Sequence, residues 1–238
     1  MGVITVDSAI NNPVREIFEL LLTKNNLRNL NKYKGIIENK GIRVRILTSK
    51  EISQYVDTEE SVHQGIAIKV KKLAPLLIER VLEKIKKKSI LLFLDQITDP
   101  QNIGAIIRSA LAFNVDAVIT TKDNAPTENA TLVKATAGAF ELIPYIQVVN
   151  LTRTLNDIKK HGYWVVAVTQ DADIPINSLN NFDRVALLLG AEGKGIRNIN
   201  LKHSDMKVRI NISNKLQSLN VSNATAISLY QIQARQKC

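Results

Sequence analysis

From Ser89 onward, short apolar runs recur between longer segments of helical spacing. That alternation restricts this part of the chain to a parallel sheet covered by helices. Six runs read as strands, at 90–94, 117–120, 143–149, 163–168, 185–189 and 208–212. They are mostly β-branched or leucine-rich, as strands buried on both faces must be. Helices are expected over 102–113, 128–137, 151–161 and 219–236, the second and third of them followed by Gly138 and Gly162.

The first third is organised differently. An apolar-periodic stretch covers 14–22, a polar basic stretch follows, and 44–47 and 65–70 read as strands, so residues 1–72 form a small α/β module. Residues 73–88 contain no glycine, end in Lys84, Lys86, Lys87 and Lys88, and read as a basic linker helix; residues 89–238 are the second domain. The net charge of +10 points to a polyanionic partner, nucleic acid before membrane surface. Most of the excess lies in 1–88, with 17 Lys/Arg against 10 Asp/Glu. Between Lys24 and Lys50 there are eight basic residues and a single acid, Glu38. Such a run is ordinarily a solvated face; its candidate RNA contacts are Lys32, Lys34, Arg43 and Arg45.

No apolar run approaches the roughly 20 residues of a spanning helix, and the N-terminus lacks a signal-peptide layout, so a soluble, cytoplasmic protein without membrane contact is expected. The one cysteine, Cys238, and three scattered histidines, His63, His161 and His203, give no metal site.

Three motifs sit where strands open into loops, the usual ligand crevice of a parallel sheet. The first runs Asp95-Gln96-Ile97-Thr98-Asp99-Pro100-Gln101-Asn102-Ile103-Gly104 and on to Arg108-Ser109-Ala110. Pro100 suits a turn edge, Asn102 can cap a helix, and Arg108 is the odd residue on a mostly apolar helix. Alone, Arg108 reads as an arginine snorkelling at a helix edge. The second is Gly190-Ala191-Glu192-Gly193-Lys194-Gly195, which is neither a P-loop nor a dinucleotide fingerprint; its distinctive group is the Glu192 carboxylate. The third is a strand through Ile210, a polar loop, then Ser218-Leu219-Asn220-Val221-Ser222-Asn223. Ser218 or Asn220 would serve as an N-cap, yet the row holds more hydrogen-bonding side chains than one cap needs.

Taken in this order and at these distances, the three motifs resemble those of the SpoU branch of the SPOUT methyltransferases, and the resemblance covers essentially all of 89–238. The segment Val62-His63-Gln64-Gly65-Ile66 resembles the end of the N-terminal substrate-binding module of the ribosomal-RNA members. The resemblance implies an α/β trefoil-knot domain threaded near 187–224, S-adenosylmethionine as cofactor, and transfer of a methyl group to a ribose 2′-hydroxyl. It gives Arg108 the task of activating that hydroxyl, with Asn102 shaping its loop and Glu192, Ser218 and Asn220 positioning Arg108 or the nucleotide. Gly190, Ile210 and Leu219 would contact the cofactor. It also implies a homodimer and, through the Val-His-Gln-Gly segment, a guanosine of large-subunit ribosomal RNA as the target, with transfer RNA as the alternative. A guanidinium keeps its proton, so electrostatic stabilisation of a developing alkoxide is preferred to proton abstraction.

The sequence departs from the family pattern at Ile4, where histidine is usual, and at Asn211, Ile212 and Asn214, where Pro, Met and Gly are usual. A catalytically inert RNA-binding protein on the same fold therefore stays open as a rival. A nicotinamide-dependent oxidoreductase does not fit, because the early glycine fingerprint and its downstream acid are missing.

Overall fold

A computed structural model of the chain describes residues 2–55, 63–85 and 87–236; Val62, Lys86 and Cys238, which the sequence reading drew on, lie outside them. The described elements begin with α1 (Val3–Asn11), β1 (Ile17–Leu22), α2 (Arg28–Lys40), β2 (Arg43–Ile46), α3 (Ser49–Gln54), β3 (Ile66–Val70) and α4 (Ile78–Leu82). They continue with β4 (Ser89–Asp95), α5 (Pro100–Ala112), β5 (Ala117–Thr121), α6 (Ala130–Ala135), β6 (Tyr145–Val148), α7 (Leu151–Lys159) and β7 (Trp164–Val168). The last are β8 (Ile174–Pro175), β9 (Arg184–Gly190), α8 (Asn198–Lys202), β10 (Met206–Arg209) and α9 (Val221–Gln236).

The chain divides into two compact units, one of residues 1–74 and 128–142, the other of residues 75–127 and 143–238. In the first unit β1 is central, with β2 parallel on one side and β3 antiparallel on the other. The sequence reading expects no helix over α1 or α2. α1 forms despite the poor helix propensity of its Val, Ile and Thr residues because Val6, Ala9 and Ile10 share one face and are buried with Leu20 and Leu22. α2 likewise buries Tyr33, and it stops at Gly41, whose φ of 63° is the left-handed conformation that glycine adopts cheaply.

The segment carrying α6 joins this unit through Arg15. Arg15 Nε and Nη2 donate to Glu141 Oε2 and Oε1 at 3.0 and 2.6 Å, and Nη1 donates to Glu128 Oε1 at 2.6 Å. Arg15 is 2% exposed, so the pairing offsets what burying a guanidinium costs. Asn12 Nδ2 and Leu73 N complete the set on Glu141 and Glu128.

The second unit is a seven-stranded parallel sheet in the order β6-β5-β4-β9-β7-β10-β8. β4 and β9 lie in its interior, and every residue of β4 is buried, so its Leu-Leu-Phe-Leu run needs no polar alternation. α9 packs on α5. The α/β fold with a parallel sheet is as the sequence implies, with local differences. The strand expected at 143–149 shortens to β6 because Pro144 has no N–H for the ladder. The strand expected at 208–212 shifts to β10, leaving Ile210 in the following loop. The helix expected at 128–137 contracts to α6, capped by Asn129 Oδ1 accepting from Leu132 N at 2.8 Å. The linker helix expected over 73–88 is confined to α4: Pro75 disfavours helix before it, and lysines three and four apart at its end repel. Among the described residues no helix is long and apolar enough to cross a membrane, and no group of three or more His, Cys, Asp or Glu could hold a metal ion.

Candidate active site

The three motifs meet at the C-terminal edge of the central strands, where Asp95 ends β4 directly opposite Gly190 at the end of β9. Asp95 is fully buried. Its carboxylate accepts from Arg197 N at 2.9 Å, Arg197 Nε at 2.8 Å and Asn200 Nδ2 at 2.8 Å, while its backbone carbonyl accepts from Ala191 N at 3.1 Å. One residue thus grips both ends of the turn that carries Glu192. Inside that turn Gly195 N donates to Ala191 O at 2.8 Å, and Gly193 and Gly195 have φ of 79° and 67°. A Cβ on Gly190 would fall 2.1 Å from Gly195 C, so this glycine is required by the turn's own closure. The resemblance gives Gly190 a cofactor contact besides.

α5 starts in the loop that follows. Gln96, just past Asp95, has φ of 59°, uncommon for a side-chain-bearing residue. Asp99, not Asn102, caps α5: its carboxylate accepts from Gln101 N at 3.1 Å and Asn102 N at 3.2 Å, with Pro100 in the first turn. The Asn102 side chain is thereby released for another contact. Asn220 Nδ2 donates to Asn102 Oδ1 at 3.0 Å and to Glu192 Oε2 at 3.4 Å. The other end of the same amide, Oδ1, accepts from Ser222 N at 2.9 Å and Ser222 Oγ at 2.6 Å at the start of α9. Asn220 is both the cap that the sequence allows and the link between all three motifs.

Arg108 lies on the exposed face of α5, whose other face buries Ile103, Ile106, Ile107 and Ala110. Its guanidinium is therefore open to a substrate anion or oxygen. Ser218 is exposed and stands outside the Asn220 group. A cavity of about 540 Å3 opens beside the end of β10, lined by Ile210, Asn211, Ile212, Asn214, Asp171 and Asp173 among others. Ile210 lines it; Gly190 and Leu219 do not. Arg209 Nη1 donates to Ala172 O and Asp173 O at 2.7 and 2.6 Å, and its Nε donates to Asn211 Oδ1 at 3.2 Å. The asparagine that replaces the family's usual proline thus fastens the arginine holding the facing loop.

In the first unit, three of the four cations expected to meet RNA have acidic neighbours. Lys32 pairs with Asp7 at 2.5 Å, and Arg43 and Arg45 lie 3.7 and 3.9 Å from Glu19. Arg45 also sits over the ring of exposed Tyr55 and donates to its hydroxyl. Lys34 is exposed. Ile4, which replaces the usual histidine, is 66% exposed on α1. Sequence reasoning missed the Asp95–Arg197–Asn200 group; a carboxylate closing an otherwise apolar buried strand was its only signal.

Residues 89–230 match the SpoU rRNA Methylase family, and residues 1–76 match the RNA 2′-O ribose methyltransferase substrate-binding family. The chain belongs to the SpoU family. It is 33% identical to the 23S rRNA (guanosine-2′-O-)-methyltransferase RlmB of Xanthomonas campestris over 97% of this chain and 94% of that one. It is 40% identical to the RlmB of Pseudomonas aeruginosa over 73% of this chain and 71% of that one. In fold it is similar to the SpoU methyltransferase AviRb of Streptomyces viridochromogenes, solved in complex with AdoMet, with a TM-score of 0.83, 20% identity, and coverage of 100% and 89%. The three motifs all lie within the span 89–230 that matches the SpoU rRNA Methylase family.

Proposed function

We propose that this protein transfers a methyl group from S-adenosylmethionine to the ribose 2′-hydroxyl of a guanosine in 23S-type ribosomal RNA. The observation that carries the reading is the Asn220 amide, which draws Asn102 and Glu192 of two other motifs into one hydrogen-bonded group beside the helix of Arg108. The RlmB relatives that match nearly the whole chain support ribosomal RNA as the target, and the match of 1–76 to a substrate-binding family supports a part for the first unit in holding RNA.

The cavity at β10 suits the cofactor chemically. Ile210, Ile212 and Leu216 offer apolar walls for an aromatic base, amides offer hydrogen bonds, and Asp171 and Asp173 face a cationic molecule with opposite charge. Gly190 and Leu219 would complete the contact from the neighbouring turns. When bound, the cofactor supplies an electrophilic methyl group. The chain's own residues must orient the ribose and stabilise the oxygen as its proton leaves. Arg108 supplies a fixed positive charge for that oxygen, Asn102, Glu192 and Asn220 hold the loops from which the nucleotide is positioned, and exposed Ser218 is left to meet the nucleotide itself. The reading includes threading of 187–224 as a trefoil knot and a cytoplasmic homodimer. Exposed Ile227 and Tyr230 on α9 support a second copy covering that helix. Residues 1–72 recruit the RNA, with Lys32, Lys34, Arg43 and Arg45 on its phosphates, and 89–238 carry the chemistry.

The test is methyl incorporation from labelled S-adenosylmethionine into unmodified 23S rRNA and into transfer RNA, followed by mapping of the 2′-O-methyl position. A ribosomal guanosine is expected. Labelling of transfer RNA alone would favour the other target, and absence of saturable cofactor binding in calorimetry would favour an inert scaffold.

A further inference from the structure

Within the first unit a second cavity, about 840 Å3, opens between the loops that follow β1 and β2 and the turn before β3. Its floor is built tightly. Gly65 has φ of 73°, and a Cβ there would lie 2.5 Å from both Thr23 Oγ1 and Asn26 Nδ2. Thr23 N donates to Gly65 O at 2.9 Å, and Asn26 Nδ2 donates to Gln64 O at 2.9 Å. Gln64 itself holds φ of 52°. His63, 6% exposed, accepts from Gly65 N on Nδ1 at 3.0 Å, which leaves Nε2 to donate to Ser53 Oγ at 3.1 Å. A strained turn fixed this thoroughly is the kind of backbone found at ligand clamps.

The rim has a different character. Lys24 and Asn25 are exposed, and Ile46 at the end of β2 is 52% exposed, an apolar surface beside amide and ammonium groups. The rim also carries Glu51, whose carboxylate accepts from Thr48 N and Thr48 Oγ1, each at 2.7 Å. An ionised carboxylate inside the cleft repels phosphate. It accepts instead from the amino and imino groups on base edges. The volume falls within the range of about 300–1,000 Å3 usual for small-ligand clefts, enough for a nucleotide. Single-stranded RNA is read by splaying out bases, which pack against side chains and bond along their edges.

We infer that this cleft receives an unstacked base of the substrate RNA, with Ile46 against the base face, Asn25 and Glu51 on its edge, and Lys24 on the adjoining phosphate. The inference rests on the proposed function and deepens it. It separates a base-reading cleft from the phosphate contacts at Lys32, Lys34, Arg43 and Arg45.

The experiment is a filter-binding titration of the full chain with unmodified 23S rRNA transcript at several salt concentrations, with inorganic polyphosphate as a base-free polyanion. Asn25→Ala and Ile46→Ala, both at exposed positions, are each expected to weaken transcript binding at least fivefold. They should leave polyphosphate binding, the log–log salt slope and the melting temperature unchanged, because no phosphate contact is removed. Unchanged transcript affinity in both variants would overturn the cleft while leaving the functional reading intact. Equal weakening toward transcript and polyphosphate would overturn base reading. If the unaltered chain binds no transcript, the functional reading falls and takes the cleft with it.

Discussion

The side-chain amide of Asn220 donates to Asn102 Oδ1 at 3.0 Å, tying the start of α9 to the start of α5 across 118 positions of sequence. The same side chain caps α9 through its other atom, so capping and bridging separate by substitution. Asn220→Asp keeps a good cap, and stability should stay within about 0.5 kcal/mol. It loses the donor and sets a carboxylate against Glu192. Methyl transfer should fall roughly tenfold or more in Asn220→Asp and Asn220→Ala alike. Full activity in Asn220→Asp would reduce the residue to a cap.

Arg108 is expected to act on the reacting oxygen rather than on folding. Arg108→Ala should lower turnover by about a hundredfold or more while leaving cofactor affinity nearly intact in calorimetry. Arg108→Lys should be nearly as harmful, because the planar fork positions the charge. Near-normal single-turnover rates in either variant would remove Arg108 from the chemistry.

Asp95 tests whether the Glu192 turn needs its grip. Asp95→Ala leaves Arg197 and Asn200 without their acceptor. Because Arg197 is 37% exposed, the loss should be smaller than for a fully buried pair, about 2 kcal/mol, or roughly 4–8 °C in melting temperature. Asp95→Asn, which still accepts, should lose less. If the turn positions substrate, Asp95→Asn lowers kcat even at temperatures where it is fully folded; a melting shift with unchanged kcat would make Asp95 purely structural.

Acid should expose the Asp7 contact. The Lys32 ammonium at 2.5 Å, aided by the Tyr33 hydroxyl at 2.9 Å, holds the Asp7 carboxyl below its ordinary 3.8. A carboxylate depressed on folding stabilises the fold above its unfolded pKa, and the contribution disappears as pH falls through the lower folded value. Asp7→Asn should therefore be less stable than the unaltered chain near neutral pH, and the gap should close as pH falls through and below the ordinary carboxylate range. Urea midpoints near neutral pH and below that range measure it; a gap independent of pH would contradict the pairing.

The sequence shows β4 and β9 because a strand buried on both faces must be a continuous apolar run, and 90–94 and 185–189 are such runs. The motifs are legible for a related reason: Gly190 meets a local demand of a turn and Asn220 that of a helix start, whereas Asn102, which the sequence offers as a cap, is displaced from that task by Asp99. What is not legible is pairing at a distance. Asp95 and Arg197 are 102 positions apart, and nothing in either neighbourhood names the other. α1 is hidden too, because Val3, Ile4, Thr5 and Val6 favour strand locally and are overruled by burial against β1 and β3. Nor does sequence order reveal that 128–142 groups with the first 74 residues, since that depends on where Arg15 finds its carboxylates.

The Arg15 cluster also imposes an order on synthesis. Glu128 and Glu141 follow residues 75–127, which carry β4, α5 and β5 of the other unit. A ribosome thus makes the guanidinium long before either acid that neutralises it. It also makes α1 long before the Ala139–Glu141 turn that packs on it. Domains generally complete folding in the order in which they leave the exit tunnel. Here the N-terminal unit cannot finish first; it waits on a segment translated from the middle of its neighbour.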